Sequence, residues 1–143
     1  MLAGATNETL NKWKLEANPI KYFFLNQSNC YDRRDGVKDS DLWNELELAM
    51  NVMGISDREM KNIFECLAGI LHCGNLEFQD ESKNINDDMI GIPKLETIVH
   101  AKTSCELWEV EYENLIKAIS TRTIIAPNDI FTVHLSSDKC RNS

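Results

Sequence analysis

Glycine is scarce in this 143-residue chain. Its six copies, at positions 4, 36, 54, 69, 74 and 91, compose neither of the glycine-rich loops that cradle phosphates. A G-x-x-x-x-G-K-[ST] loop closes backbone N–H groups around phosphates and sends a lysine to them, and a G-x-G-x-x-G turn serves dinucleotides; neither is present. Basic residues are also in the minority, 15 against 23 acidic, for a net charge of −8. Nucleic-acid binding needs a surplus of Lys and Arg to neutralise phosphates, and no polybasic run supplies one, so no nucleic-acid partner is expected. No apolar run approaches the ~20 residues that span a bilayer, so no membrane insertion is expected. Met1-Leu2-Ala3-Gly4-Ala5 is too short for an apolar signal core and lacks a basic leader. The expected setting is cytoplasmic, with the five cysteines reduced and the sequons at Asn7 and Asn26 unmodified.

Metal and catalytic signatures are equally thin. The cysteines at 30, 66, 73, 105 and 140 form no C-x-x-C and the three histidines are isolated, so no metal site is nominated. Placing Gly36 at the sixth position of a calcium loop puts Tyr31, Arg33 and Leu42 where ligands belong, and the pattern fails. His72 beside Cys73 is where a thiol-activating base would sit, but a histidine near a helix C-terminus serves more simply as a favourable charge for the dipole. Cys66 and Cys73, near two turns apart, read as small core residues. No catalytic or cofactor-binding residue is nominated.

A hydrophobic fraction of 43% in a chain of this length is ordinary for one globular domain. Its organising stretch is a helix from Met60, with Met60, Ile63, Phe64, Leu67, Ile70 and Leu71 at three- and four-residue steps along one face. Ser56 and Glu59 form an S-x-x-E capping box ahead of it, and Gly74 is placed to close it in the left-handed conformation. Before it, Thr6 or Asn7 caps a short helix with Leu10 and Trp13. Pro19 leads into Tyr22-Phe23-Phe24-Leu25-Asn26-Gln27-Ser28, which reads as a buried extended segment ending in a turn. A charged loop around Gly36 follows. Ser40 or Asp41 then caps a helix with Leu42, Trp43, Leu46, Ala49, Met50 and Met53 inward, closed by Gly54, so that two helices form a hairpin.

After Phe78 the run Gln79 to Asp88 reads as a solvated loop. Helix is expected to resume at Pro93, with Leu95, Ile98 and Val99 on one face and Cys105 and Trp108 continuing it, and again near Glu111 with Tyr112, Leu115, Ile116 and Ile119. Thr123-Ile124-Ile125, the turn candidate Ala126-Pro127-Asn128-Asp129, and Ile130 to Leu135 read as a β-hairpin. The last eight residues read as loose. From residues alone this is a mainly α domain, a structural or binding module before an enzyme.

The words themselves say more. Tyr22 to Ser28, then Ile63-Phe64, Leu67-Ala68-Gly69-Ile70-Leu71-His72 and Gly74-Asn75-Leu76-Glu77-Phe78, closely resemble the myosin motor domain. Leu2-Ala3-Gly4-Ala5, Met53-Gly54-Ile55-Ser56 and Leu115 to Arg122 match further family words in the same order, so the resemblance covers essentially the whole chain. Cys73 stands where the family usually has leucine, and 102–109 match loosely.

The resemblance implies the upper actin-binding (upper fifty-kilodalton) subdomain. This would be a mainly α subdomain with a C-terminal β-hairpin, part of the larger α/β P-loop motor fold. The phosphate loop and both nucleotide switches would lie outside residues 1–143. The chain is then expected to be a fragment or partial gene of an actin-based, ATP-driven motor, inactive alone and with no cofactor of its own; ATP and Mg would serve the intact motor. Implied partners are the actin filament and the remainder of the motor domain, in a cytoplasmic, cytoskeleton-associated setting. The alternative is a free-standing helical scaffold or binding module derived from the head.

Two surface elements carry over by position. Gln79 to Asp88 corresponds to a variable loop reaching toward the filament. The hairpin resembles the actin-binding loop, which nominates Arg122, Pro127, Asn128, Asp129, Ile130 and Phe131, with Asp129 at a site that the family fills with an acid or a phosphorylatable hydroxyl. The corresponding prediction is genomic: sequence upstream of Met1 is expected to encode a glycine-rich loop ending Gly-Lys-Thr. A promoter and start signal directly before Met1 would count against a fragment.

Overall fold

Side chains just ahead of the helices fix where the first half of the chain turns. The computed structural model describes residues 1–31, 35–82, 89–127 and 129–141, in two compact units, Met1–Gly74 and Asn75–Ser143. In the first, Thr6 Oγ1 accepts from the Thr9 N–H at 3.2 Å and opens α1 (Asn7–Lys12). Asn18 Oδ1 accepts from the Ile20 N–H at 3.1 Å and opens one 3₁₀ turn, Pro19–Lys21. One further turn, α2 (Phe23–Asn26), precedes α3 (Asp39–Val52) and α4 (Asp57–Cys73).

The capping box of α4 is formed in full. Ser56 Oγ accepts from the Glu59 N–H, and Glu59 Oε2 accepts from the Ser56 N–H at 2.9 Å. Gly54 takes φ +80° between α3 and α4, a conformation that costs glycine nothing and other residues about 1 kcal/mol or more. The core of this unit is aromatic. Phe64 of α4 lies 4.6 Å from the Trp43 ring of α3 and 5.7 Å from Trp13 after α1, centroid to centroid, within the range where tilted rings attract. Leu10, Leu15, Tyr22, Met50 and Ala68 complete it.

Several expectations for this unit need correction. Tyr22 to Ser28 is not an extended segment. Only Tyr22 is extended and buried, and Phe23 to Asn26 turn helically, with Phe24 and Leu25 exposed. Amide side chains favour the turns, Gln27 Nε2 donating to the Phe23 carbonyl at 2.9 Å and Asn26 Nδ2 to that of Ile20 at 3.0 Å. Gly74 is right-handed, at φ −61°; what it requires is space, since a Cβ there would sit 2.5 Å from the Phe24 ring.

The buried line of α4 is Phe64, Ala68 and His72, one position round from the expected face, and Ile63, Leu67 and Ile70 are exposed. Helix α3 starts at Asp39 with Lys38 as its flanking residue; it buries Trp43 and Met50, and leaves Leu42, Leu46, Ala49 and Met53 exposed. Cys66 is exposed and Cys73 half-buried, so Cys66 is no core residue. His72 is more than a charge at a helix end. It is buried, its ring meets Tyr22 edge-on, and Nε2 lies 3.1 Å from the Trp13 carbonyl, which can only accept, so Nε2 carries the proton.

The second unit pairs β1 (Phe78–Ser82) with β2 (Met89–Pro93), Asp80 opposite Gly91, so 79–82 are strand and not loop. Residues 83–88 of that expected loop lie outside the described residues. Pro93 ends a strand instead of starting a helix, as its fixed φ permits at a strand end. A 3₁₀ turn, Leu95–Thr97, leads into α5 (Ile98–Trp108), which buries Ala101, Thr103, Ser104 and Cys105 while Leu95 and Val99 are exposed. Glu109, left-handed at φ 54°, closes α5, with the Val110 N–H reaching back to the Cys105 carbonyl.

α6 (Tyr112–Ser120) follows as expected, its stripe of Tyr112, Leu115, Ile116 and Ile119 half-buried. β3 (Thr121–Ala126) and β4 (Asp129–His134) form the expected hairpin. Of the last eight residues, expected to be loose, Asn142 and Ser143 lie outside the described residues, and the rest are ordered. Ser137–Arg141 forms α7, with Cys140 buried against Gly91.

Two outcomes test this packing. A Cβ on Gly91 would lie 2.7 Å from Cys140 Sγ and 2.9 Å from the Ser137 backbone nitrogen. Gly91→Ala is therefore expected to lower stability in urea unfolding by about 1–3 kcal/mol. Gly74→Ala should cost less, because the Phe24 ring it meets is exposed and can turn away. For the capping box, the hydrogen bond from Ser56 holds the Glu59 carboxyl below its ordinary value of 4.5. A depressed folded-state value means the contribution is present above the unfolded-state value and lost as pH falls through the depressed one. Amide exchange in the first turn of α4 should accelerate over that acidic window, beyond the intrinsic pH dependence, and Glu59→Gln should remove the effect.

Candidate functional site

The β3–β4 hairpin starts where α6 runs out. Thr121 Oγ1 donates to the Lys117 carbonyl at 2.7 Å, satisfying one of the acceptors the last turn leaves free, and the chain turns extended at Thr121. The following residues are β-branched or aromatic at most positions, which suits a pleated surface. Pairing runs from Thr121 opposite His134 to Ala126 opposite Asp129, leaving Pro127 and Asn128 as a two-residue connection.

Because strand residues alternate between faces, the register sorts the side chains. Arg122, Ile124 and Ala126 share a face with Asp129, Phe131 and Val133. Thr123 and Ile125 share the other with Ile130, Thr132 and His134. Every residue of β4 is exposed. Ile125 is 80% exposed, Ile130 67% and Phe131 50%. Apolar residues therefore project from both faces, Ile125 and Ile130 mostly exposed and Ile124, Phe131 and Val133 about half exposed. Asp129 stands at the tip with its Oδ1 accepting from the Ile130 N–H at 2.8 Å, and the carboxylate remains open to solvent on its other side.

The six residues nominated from the sequence do not form one cluster. Pro127, Asp129, Ile130 and Phe131 lie together at the tip, though Ile130 and Phe131 point to opposite faces. Arg122 is four positions down β3 from the residue opposite Asp129, roughly 13 Å along the strand. It belongs to the base and is too far away to pair with that carboxylate. Asn128 lies outside the described residues. Ile124 and Ile125, opposite Phe131 and Ile130, and Val133, opposite Arg122 at the base, were not nominated, yet they are exposed. The signal for them was the apolar run on both faces of the hairpin.

What the hairpin's described residues offer is apolar area and one fixed negative charge, the makings of a protein-contacting surface. Each Ile or Phe covered by a partner is worth roughly 1.5–3 kcal/mol. Elsewhere, the first unit has a groove of about 850 Å³ lined by Phe24, Leu25, Leu42, Leu46, Leu67 and Ile70. Among the described residues no three His, Cys, Asp or Glu side chains gather to hold a metal, and no helix is long and apolar enough to cross a membrane. His72 is held by packing and by the Trp13 carbonyl. His72→Ala is expected to cost about 1–3 kcal/mol in thermal or urea unfolding, by leaving that buried acceptor unmet.

A family model for the myosin head (motor domain) matches residues 1–143. Among curated proteins, Myosin-5 of Arabidopsis thaliana is 37% identical over 138 residues, covering 96% of this chain and 9% of that protein. Myosin-14 is 36% identical over 141 residues, covering 96% and 9%, and Myosin-17 is 32% identical over 143 residues, covering 100% and 9%, both from the same organism. The chain thus spans about a tenth of the length of the curated relatives it matches.

Proposed function

The chain belongs to the myosin head (motor domain) family, and we propose that it is the upper actin-binding segment of an actin-based, ATP-driven motor. Its role is to supply core packing and a filament-facing hairpin. The observation that carries this reading is the β3–β4 hairpin: a two-stranded projection, apolar on both faces, with Asp129 at its tip. A surface of that kind gains its free energy when a protein covers it, and the actin filament is the partner that membership of a motor family suggests. The apolar residues Ile130 and Phe131 supply affinity. Asp129 supplies a fixed charge that steers and orients the encounter. Arg122, at the base, acts at the margin of the interface together with Pro127 and Asn128 at the connection.

The intact motor works with ATP and Mg²⁺. The residues present here do not fit that group, lacking a glycine-rich phosphate loop and, among the described residues, any gathered carboxylate, histidine or thiolate ligands. No step of ATP hydrolysis is assigned to them. The remainder of the motor domain is the second partner in this reading, and the groove beside Leu42, Leu46, Leu67 and Ile70 is a surface it would cover. The setting is the cytoplasm, on the cytoskeleton. A free-standing scaffold derived from the head would instead unfold as a cooperative unit in isolation, and no geometry favours it.

Cosedimentation with filamentous actin tests the hairpin. Ile130→Asp or Phe131→Asp is expected to weaken binding about tenfold or more, by removing one buried apolar side chain and adding a charge. In the complete motor, Asp129→Ala is expected to lower actin-activated turnover by up to about fivefold, the equivalent of a partly exposed charge contact, with basal ATPase unchanged. Equal loss of both activities would overturn the role given to Asp129.

A further inference from the structure

The filament-facing hairpin is not rooted in α6 alone. Just past its last strand residue, the Leu135 N–H donates to the Ser120 carbonyl at 2.8 Å, and the Leu135 carbonyl accepts from the Gly91 N–H of β2 at 2.7 Å. Two residues on, α7 begins, and its first residue is clasped from β1. Asp80 Oδ1 accepts from the Ser137 N–H at 2.7 Å and Oδ2 from the Ser137 hydroxyl at 2.8 Å. The approach is close because Asp80 stands opposite Gly91, which has no side chain, and Cys140 and the Ser136–Ser137 backbone fill the place where a Cβ would be.

We propose that Asp80 is a positioning residue for the β3–β4 hairpin, its carboxylate fixing the start of α7 and, through Leu135, the angle at which the hairpin leaves the unit. This rests on the reading of that hairpin as the filament-facing element. Both oxygens of one carboxylate are committed to one residue, and such charge-assisted bonds are short and directional. The link is also short along the chain: two residues, Leu135 and Ser136, separate β4 from the clasped Ser137, and Leu135 carries the bonds to Ser120 and Gly91. Loss of the clasp frees the Ser137 N–H and hydroxyl together and leaves the Gly91–Leu135 hydrogen bond, with Cys140 packed beside it, to hold β2 to the hairpin's base. The β1–β2 and β3–β4 hairpins are therefore mechanically joined, so a force or partner acting on one shifts the other.

The test is amide exchange and actin cosedimentation on the complete motor that carries these residues. Asp80→Ala and Ser137→Asp, the second placing a like charge against the carboxylate, are expected to raise exchange at Gly91, Leu135 and the base of β4 about tenfold. α5 and the tip of the hairpin should be little altered. Asp80→Asn, which retains an acceptor for the Ser137 N–H and offers a donor to its hydroxyl oxygen, should restore most of the protection. Actin binding should weaken about threefold or more in the first two variants although no hairpin residue is changed.

Unchanged exchange at Leu135 in Asp80→Ala overturns the proposal, as does a uniform loss of protection across α5 and α6, which would mark mere destabilisation. Should Asp80→Ala fail to fold, Ser137→Ala, which deletes one bond of the two, gives the same reading at smaller amplitude. If the wild-type motor sediments with actin and the hairpin variants Ile130→Asp and Phe131→Asp sediment equally well, the filament-facing reading fails there, while the exchange results decide the clasp independently.

Discussion

The backbone of a single residue ties the β3–β4 hairpin to the rest of its unit. Leu135 gives its N–H to the end of α6 and takes an N–H from β2, so three elements that would otherwise only follow one another in sequence are tied at one point. Everything that makes the β3–β4 hairpin a defined surface follows from it. The strands pair with each other, but a two-stranded hairpin by itself is marginal in water, and its orientation has to come from its base. The missing side chain at Gly91 is what lets the base come so close, because any larger residue would meet Cys140 Sγ and the backbone of Ser137. Burial raises the Cys140 thiol above its ordinary value, with the Asp80 carboxylate adding to the shift. That residue is accordingly a neutral, inert filler where α7 meets the sheet.

The first unit is built on a different principle. Its order comes from an aromatic wedge, Phe64 between Trp13 and Trp43, and from a buried imidazole donating to the carbonyl at the end of α1. That wedge explains why the organising helix sits one position round from where its hydrophobic stripe would place it. Periodicity counts apolar residues without knowing what they face. Ile63, Leu67 and Ile70 satisfy the count but remain exposed, while Ala68 and His72, which a hydrophobicity pattern discounts, lie in line with Phe64 and are buried.

Local signals were the ones most legible in the sequence. The capping box at Ser56 and Glu59, the turn at Gly54, the α6 stripe and the register-defining turn at Pro127 all depend on residues within a few positions of one another, and all are found. What was missed is long-range. Asp80 to Ser137 spans 57 positions, so the strand character of a polar run and the order of the last residues were invisible to any window. Phe24 lying on Gly74 gave that glycine a steric role where its position had suggested a conformational one. For the candidate site, strand preference and the turn at Pro127 located the hairpin and the family resemblance nominated its residues, which the register then divided between a tip and a base.

The hairpin's two outer edges carry a further consequence. Among the described residues β3 and β4 pair only with each other, along strands whose side chains, Ile124, Ile125, Ile130, Phe131 and Val133, are apolar and exposed. Such an edge is a template on which another extended chain can add. A protein displaying it uncovered runs a standing risk of self-association, held off by the repulsion of its net negative charge and by the charged side chains at Arg122 and Asp129. Occupation by a partner would thus do more than generate affinity; it would also protect the chain from its own copies.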